Sequence, residues 1–218
     1  CQSVTLPPAP HGRLRFLSPD ELRLALAHVP PGPRQEVDRT VILAAAMTGL
    51  RQGELIALRW RDVDWQAGRV RVVDNYVLGE YVAPKSQTSK RSVPLADELA
   101  GALHRWWEAS GEPGDDALVF ADPLTGGPLA KPQLLRRYRA ALEAAALDAT
   151  MTFHELRHTF GTTMAAAGVP IRTVQAWMGH ADIATTQRYA HYAPSPHEVE
   201  WVSRAFGAAS RATNPLPI

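Results

Sequence analysis

Apolar positions along this chain change their period twice. From Leu22 they recur at helical spacing, with Leu22, Ala25, Leu26 and Val29 on one stripe. Ser18 ahead of Pro19 and Glu21 forms a capping-box signature for the start of that helix, and Pro30-Pro31-Gly32 ends it. The preceding residues 1–17 carry Pro7, Pro8, Pro10 and Gly12 and are predicted to be a connector. A second helix is predicted over 35–48, stopping near Gly49, and a short third one holds Glu54, Ile56 and Leu58.

The period then becomes two. Val70, Val72 and Val73, then Tyr76 and Val77, Tyr81 and Val82, and Ser92 to Leu95 read as short strands, with turns at Gly68, Gly79 and Ser86 to Ser89. Helical spacing returns at Leu95, Leu99, Leu103 and Trp106, and again at Leu135, Tyr138, Leu142 and Ala146, around a loop from Gly111 to Pro128. Further helices are predicted near 153–166, 170–178, 183–192 and 196–207. The expected fold is mainly α with a small antiparallel three-stranded sheet. One domain spans 18–207, and 208–218 form a C-terminal tail.

Composition narrows the class without choosing a function. The chain has 218 residues, 45% hydrophobic and 21% charged, ample for a buried core. The apolar run from Val41 to Met47 is too short to cross a bilayer. Residues 1–12 lack the charged start and apolar middle of a signal peptide. Cys1 is the only cysteine, so no disulfide forms within the chain and a cytoplasmic setting, in a bacterial or phage-infected cell, is expected. A start at Cys rather than Met points to a fragment or processed product. The net charge of +1 is uninformative, but its distribution is not. Lys85, Lys90 and Arg91, and Lys131, Arg136, Arg137 and Arg139, form acid-free stretches, while Glu112, Asp115, Asp116 and Asp122 gather elsewhere. The pattern permits one basic face and one acidic edge.

His154-Glu155-Leu156-Arg157-His158 fits the H-E-x-x-H pattern of zinc peptidases. Arg157 on the same turn repels a dication, no third ligand stands at a familiar place beyond His180 or Asp182, and Glu155 has a capping role with Thr152. No metal is therefore expected. The same helix start reads better as a phosphate site. His154 and Arg157 are three residues apart, on one face of the first turn, where free N–H groups favour an anion. A guanidinium adds bidentate hydrogen bonds to phosphate oxygens.

Four segments together resemble the tyrosine recombinase, or phage integrase, family, over about Leu17 to Trp201. Thr48-Gly49-Leu50-Arg51-Gln52-Gly53-Glu54-Leu55 resembles its first arginine box, and Ala83-Pro84-Lys85 through Arg91-Ser92-Val93-Pro94-Leu95 its sheet lysine and following strand. His154-Glu155-Leu156-Arg157-His158-Thr159 resembles the second box. Met178-Gly179-His180 with Thr185-Thr186-Gln187-Arg188-Tyr189-Ala190-His191 resembles the last. The resemblance implies that Tyr189 attacks a DNA phosphate to form a 3′-phosphotyrosyl link, with Arg51 and Arg157 holding the non-bridging oxygens. It implies Lys85 as general acid on the leaving 5′ oxygen, His154 assisting proton transfer from Tyr189, and His180 placing the nucleophile. Glu54 would buttress Arg51. The resemblance also implies that the reaction requires neither metal nor ATP, the covalent link conserving the bond energy that ATP would otherwise supply.

Within this reading Tyr189 is preferred to Tyr192 by its interval from His180, and Lys85 to Lys90 by the Pro84-Lys85 arrangement. Lys90, Arg91, Arg136 and Arg137 are candidate DNA contacts. Gly49 and Gly53 read as backbone-permissive positions. Val199, Val202 and Phe206 form a stripe that docks either on its own core or on a neighbouring protomer. The family analogy implies an N-terminal DNA-clamping domain ahead of this one, double-stranded DNA as partner, a homotetramer on paired sites, and accessory DNA-bending proteins. Integration or excision of a mobile element is the expected role. Chromosome or plasmid dimer resolution is the alternative, a type IB topoisomerase a more distant one, and loss of catalysis in a DNA-binding relative is disfavoured by the complete set of reactive residues.

Overall fold

The computed structural model describes residues 14–82 and 91–190. Helix α1 (Pro19–Ala27) starts as its sequence demands: Ser18 Oγ accepts from the Glu21 N–H at 3.2 Å, and the Glu21 carboxylate accepts from the Ser18 N–H at 2.7 Å. The connector expected over 1–17 ends sooner. Leu14 and Leu17 are buried in the core, the Leu17 N–H donates to Thr159 Oγ1 at 3.0 Å, and Arg15 reaches Asp148 and Glu155. Residues 1–13 lie outside the described part.

Helix α2 (Gln35–Thr48) is the centre of the molecule. Val37, Val41, Ile42 and Ala45 are each at most 1% exposed, and Asp38 and Thr40 on its other sides are also buried. From Thr40 on the helix is covered on nearly every side, as befits the interior of a helical layer, while Glu36 and Arg39 of its first turns are exposed. Around it pack α1, α3 (Gln52–Ala57), α4 (Asp97–Ala109), α5 (Lys131–Ala144) and α6 (Glu155–Ala166). Helices α7 (Ile171–Met178) and α8 (Ala184–Ala190) close onto α6. The helix expected over 196–207, with Val199, Val202 and Phe206, lies outside the described residues, as do Tyr192 and the tail.

The antiparallel three-stranded sheet is present, but its membership differs from the expectation. Its order is β1–β2–β5, with β1 (Val63–Asp64), β2 (Arg69–Val72) and β5 (Arg91–Pro94). Val63 faces Val70 and Val70 faces Val93, a buried apolar row. Tyr76 and Val77 in β3 (Asn75–Val77), and Tyr81 and Val82 in β4 (Glu80–Val82), form a separate hairpin around Leu78 and Gly79, both at positive φ. The physical reason is local. A two-residue strand has no period to read, and the hairpin is held by its own cross-strand pair, Tyr76 opposite Tyr81 with ring centroids 5.0 Å apart.

The acidic edge is also partly internal. Asp122 is 5% exposed and pairs with Arg34 at 2.7 Å, and Asp116 pairs with Arg61. No helix among the described residues is long and apolar enough to cross a membrane.

Candidate active site

Two helix ends and one helix start meet at the site. Helices α2 and α7 both finish on a left-handed glycine, Gly49 and Gly179, each at φ +64°. This conformation, which disfavours a side chain, turns the chain sharply after each helix. The first turn delivers Arg51 at the start of α3, and the second delivers His180. Facing them is the first turn of α6, with His154 at its N-cap position and Arg157 one turn on.

Three guanidiniums are fixed on three successive carbonyls at the C-terminal end of α7. Arg91 Nε donates to Trp177 O at 2.7 Å, Arg157 Nη2 to Met178 O at 2.5 Å, and Arg51 Nη2 to Gly179 O at 2.9 Å. These carbonyls carry the negative end of the helix dipole, which is why cations collect there. Arg157 Nη1 also donates to Gly49 O, tying the two glycine turns together. Glu54 completes the frame. Its carboxylate accepts from the Arg51 N–H at 2.7 Å and Arg51 Nη1 at 3.0 Å, and from Arg91 Nη2 and Nη1 at 2.7 and 2.9 Å.

The electrostatics leave an unmet demand for an anion. Three arginines face one carboxylate. Burial, then the cations of Arg51 and Arg91, weaken the hold of Arg157 on its proton, taking it down to about 9, still charged at neutral pH. His180 is held down to about 3, first by burial and then by Arg157, Arg51, Arg91 and His154. His154 is lowered by burial, Arg157 and Arg51. An anion held by Arg51 and Arg157 would offset these charge repulsions.

Tyr189 lies against this frame from α8. Its ring stacks beside His180, centroids 6.4 Å apart and 11° between planes. His180 Nδ1 is 2.9 Å from Thr186 Oγ1, which fixes the imidazole from the helix that carries Tyr189. The tyrosine ring occupies a notch over Gly161 of α6, where an added Cβ would stand 2.7 Å from Tyr189 Cζ. Burial raises its pKa above the ordinary 10, opposed by Arg157 and Arg188.

Arg51, Glu54, Arg157, His180 and Tyr189 are thus brought together, with His154 at the exposed rim. Lys85 and Lys90 lie outside the described residues, between β4 and β5. Two expected DNA contacts point inward instead. Arg91 is 7% exposed and committed to Glu54 and Trp177, and Arg137 donates to buried Asp38 at 2.5 and 2.8 Å. A buried carboxylate requires a cation, and these two arginines supply it. Arg136 is exposed on α5. Gly53 has no left-handed backbone; a Cβ there would collide with Asn75 and the Tyr76 carbonyl of β3.

The zinc-peptidase arrangement is not formed. Glu155, its would-be base, is bound by Arg15 and the Thr152 N–H, and His158 Nδ1 is 2.9 Å from the Tyr189 hydroxyl. Among the described residues no group of three or more ligating side chains converges. Sequence reading gave His158 no role and took Arg91 as a DNA contact rather than as the partner of Glu54. The signals for His158 were its place one turn beyond His154, which the zinc motif absorbed, and its position inside the second box, to which no role was attached.

Comparisons with known proteins give the chain's family and fold. The model of the "Phage integrase family" matches residues 15–195. Tyrosine recombinase XerC of Xanthomonas axonopodis pv. citri (strain 306) is 33% identical over 190 residues, covering 87% of this chain and 58% of the relative. Tyrosine recombinase XerD of Pseudomonas aeruginosa is 31% identical over 159 residues, 72% of this chain and 50% of the relative. The crystal structure of XerA recombinase superposes with a TM-score of 0.66 at 26% identity, over 92% of this chain and 66% of that one. The chain spans about half the length of the curated relatives it matches, 46–58% for the first three. With Arg51, Glu54, Arg91, Arg157, His180 and Tyr189 held in one hydrogen-bonded and stacked cluster, and a family match from residue 15 to residue 195, this chain belongs to the phage integrase family.

Proposed function

We propose that this chain is the catalytic domain of a site-specific DNA recombinase that cuts and rejoins double-stranded DNA through Tyr189. The observation that carries the reading is the gathering of Arg51 and Arg157 on adjacent carbonyls at the end of α7, next to His180 and the tyrosine stacked on it, with an excess of positive charge. In the reaction, Tyr189 Oη bonds to phosphorus and the P–O5′ bond breaks, giving a 3′-phosphotyrosyl link and a free 5′ hydroxyl. Arg51 and Arg157 hold the non-bridging oxygens as charge builds on them; loss of one such preorganised donor costs about 10²–10³-fold in rate. Lys85 protonates the leaving oxygen, a role that rests on its sequence context. The 5′ hydroxyl of a second strand then reverses the step. Strand exchange needs four active sites, so a homotetramer on paired sites belongs to the proposal, with integration and excision of a mobile element as its setting.

The test is a nicked DNA site from which the cleaved end diffuses away. The protein is expected to accumulate a covalent adduct, lost in Tyr189→Phe and reduced at least 100-fold in Arg157→Ala, roughly the loss of one such donor. An undiminished adduct in Tyr189→Phe overturns the assignment. The setting is tested by offering two unlike attachment sites or two identical ones; recombination confined to the identical pair refutes the mobile-element role.

A further inference from the structure

Tyr189 is 1% exposed, and among the described residues the hydrogen-bond partner of its hydroxyl is Nδ1 of His158, 2.9 Å away. We propose that His158 is a catalytic residue, the first acceptor of the Tyr189 proton when the tyrosine attacks phosphorus. This rests on the recombinase reading of the site.

The other histidines are placed for other work. His180 lies flat beside the Tyr189 ring, and its Nδ1 is committed to Thr186, so it holds the ring rather than the hydroxyl. His154 sits one turn before His158 at the exposed rim, its ring edge-on to the His158 ring with centroids 5.3 Å apart. That order, Tyr189 hydroxyl, His158, His154, solvent, is a direction for a proton to leave. In the Nε2–H tautomer, His158 Nδ1 offers its lone pair to the phenol.

The groups around His158 decide when it acts. It meets His154, Arg157 and Glu155 from its own helix and Arg188 and Tyr189 from α8; the Glu155 carboxylate is already bound to Arg15. Burial, then His154, Arg188 and Arg157, hold the imidazole down to about 4, so it is neutral and able to accept at pH 7, yet too weak to ionise the phenol at rest. A phosphate bound to Arg157 adds negative charge beside the ring and cancels part of that repulsion, raising its basicity only when substrate is present. The step balances: Tyr189 Oη–P forms, P–O5′ breaks, the phenolic proton passes to His158 Nδ1, and the general acid supplies one to O5′. Religation returns both protons.

The experiment compares wild type, His158→Phe and His158→Asn on the nicked site, and on the same site with sulfur replacing the bridging O5′, a leaving group that needs no acid. Positioned proton transfer contributes about 10²–10⁴-fold, and both variants are expected to lose a factor in that range. The loss should persist with sulfur, whereas a Lys85→Ala loss is relieved, and the variants' rates should climb with pH toward the tyrosine's own ionisation. Asn still accepts a hydrogen bond but cannot take the proton, so a folded, slow His158→Asn supports the role even where Phe fails to fold. Wild-type or faster cleavage in His158→Asn, or a defect that sulfur repairs, overturns it. With no adduct in wild type the recombinase reading falls and this inference with it; an adduct in wild type beside an unimpaired His158→Asn refutes this inference alone.

Discussion

At the residue scale, the site turns on how Glu54 is shared. Its carboxyl is 8% exposed, and burial alone would raise its pKa, but the fork of Arg91 and the backbone and side chain of Arg51 more than offset this and hold it lowered. On the proposed recombinase reading, Arg91 acts as a positioning residue. By neutralising Glu54 it leaves the charge of Arg51, whose side chain is 43% exposed, available to a phosphate. Arg91→Leu should leave Arg51 cancelled by Glu54 and lower covalent cleavage 10- to 100-fold, together with a loss of about 3–5 kcal/mol in stability from breaking a buried pair. Adding Glu54→Gln should restore part of both, with a coupling of about 1–3 kcal/mol in a double-mutant cycle read by denaturation and by adduct formation. Strictly additive losses would show that the two residues act separately.

Elements were legible where one segment determines its own ends. The Ser18–Glu21 box and the Gly49 stop announce α1 and α2 because capping is local chemistry. β1 was not legible, since two residues become a strand only by pairing with β2. The boxes carrying Arg51, Arg157, His180 and Tyr189 were legible as a resemblance. The partners that set their geometry were not, because Arg91 meets Glu54 across 37 positions and His158 meets Tyr189 across 31. Gly161 shows the same limit. A glycine inside α6 costs about 0.5–1 kcal/mol relative to alanine, and its reason lies on another helix, the Tyr189 ring. Gly161→Ala places Cβ inside that ring's space. The expected result is a net destabilisation despite the better helix former, since overpacking costs about 1–3 kcal/mol, and a displaced tyrosine. Nitration of Tyr189, followed by mass spectrometry, should rise above wild type; equal protection in both proteins would contradict the close packing.

At the scale of the whole molecule, the same buried imidazoles make folding depend on pH. His158 and His180 sit at about 4 and about 3 in the folded chain against an ordinary 6.5. Both are therefore more readily protonated in the unfolded chain. A group depressed on folding contributes stability above its unfolded value and loses it as pH falls toward its folded one. The carboxylates lowered in the fold, Glu54 and Glu155 among them, begin to act only near and below 4.5, and Asp38 and Asp62, raised by burial from 3.8, work in the opposite sense. From 6.5 to 4.5 the depressed histidines pull stability down, while any proton uptake by Asp38 and Asp62 in that range opposes them. Unfolding free energy measured by denaturant at fixed salt should fall across this range, each such histidine adding at most about 1.4 kcal/mol per pH unit. His158→Phe should start lower at pH 7, because the Tyr189 hydroxyl loses its partner, yet show a shallower slope by up to one proton. An unchanged slope would mean that His158 is not held neutral by the fold, and would remove the electrostatic ground for its basicity rising only with bound phosphate.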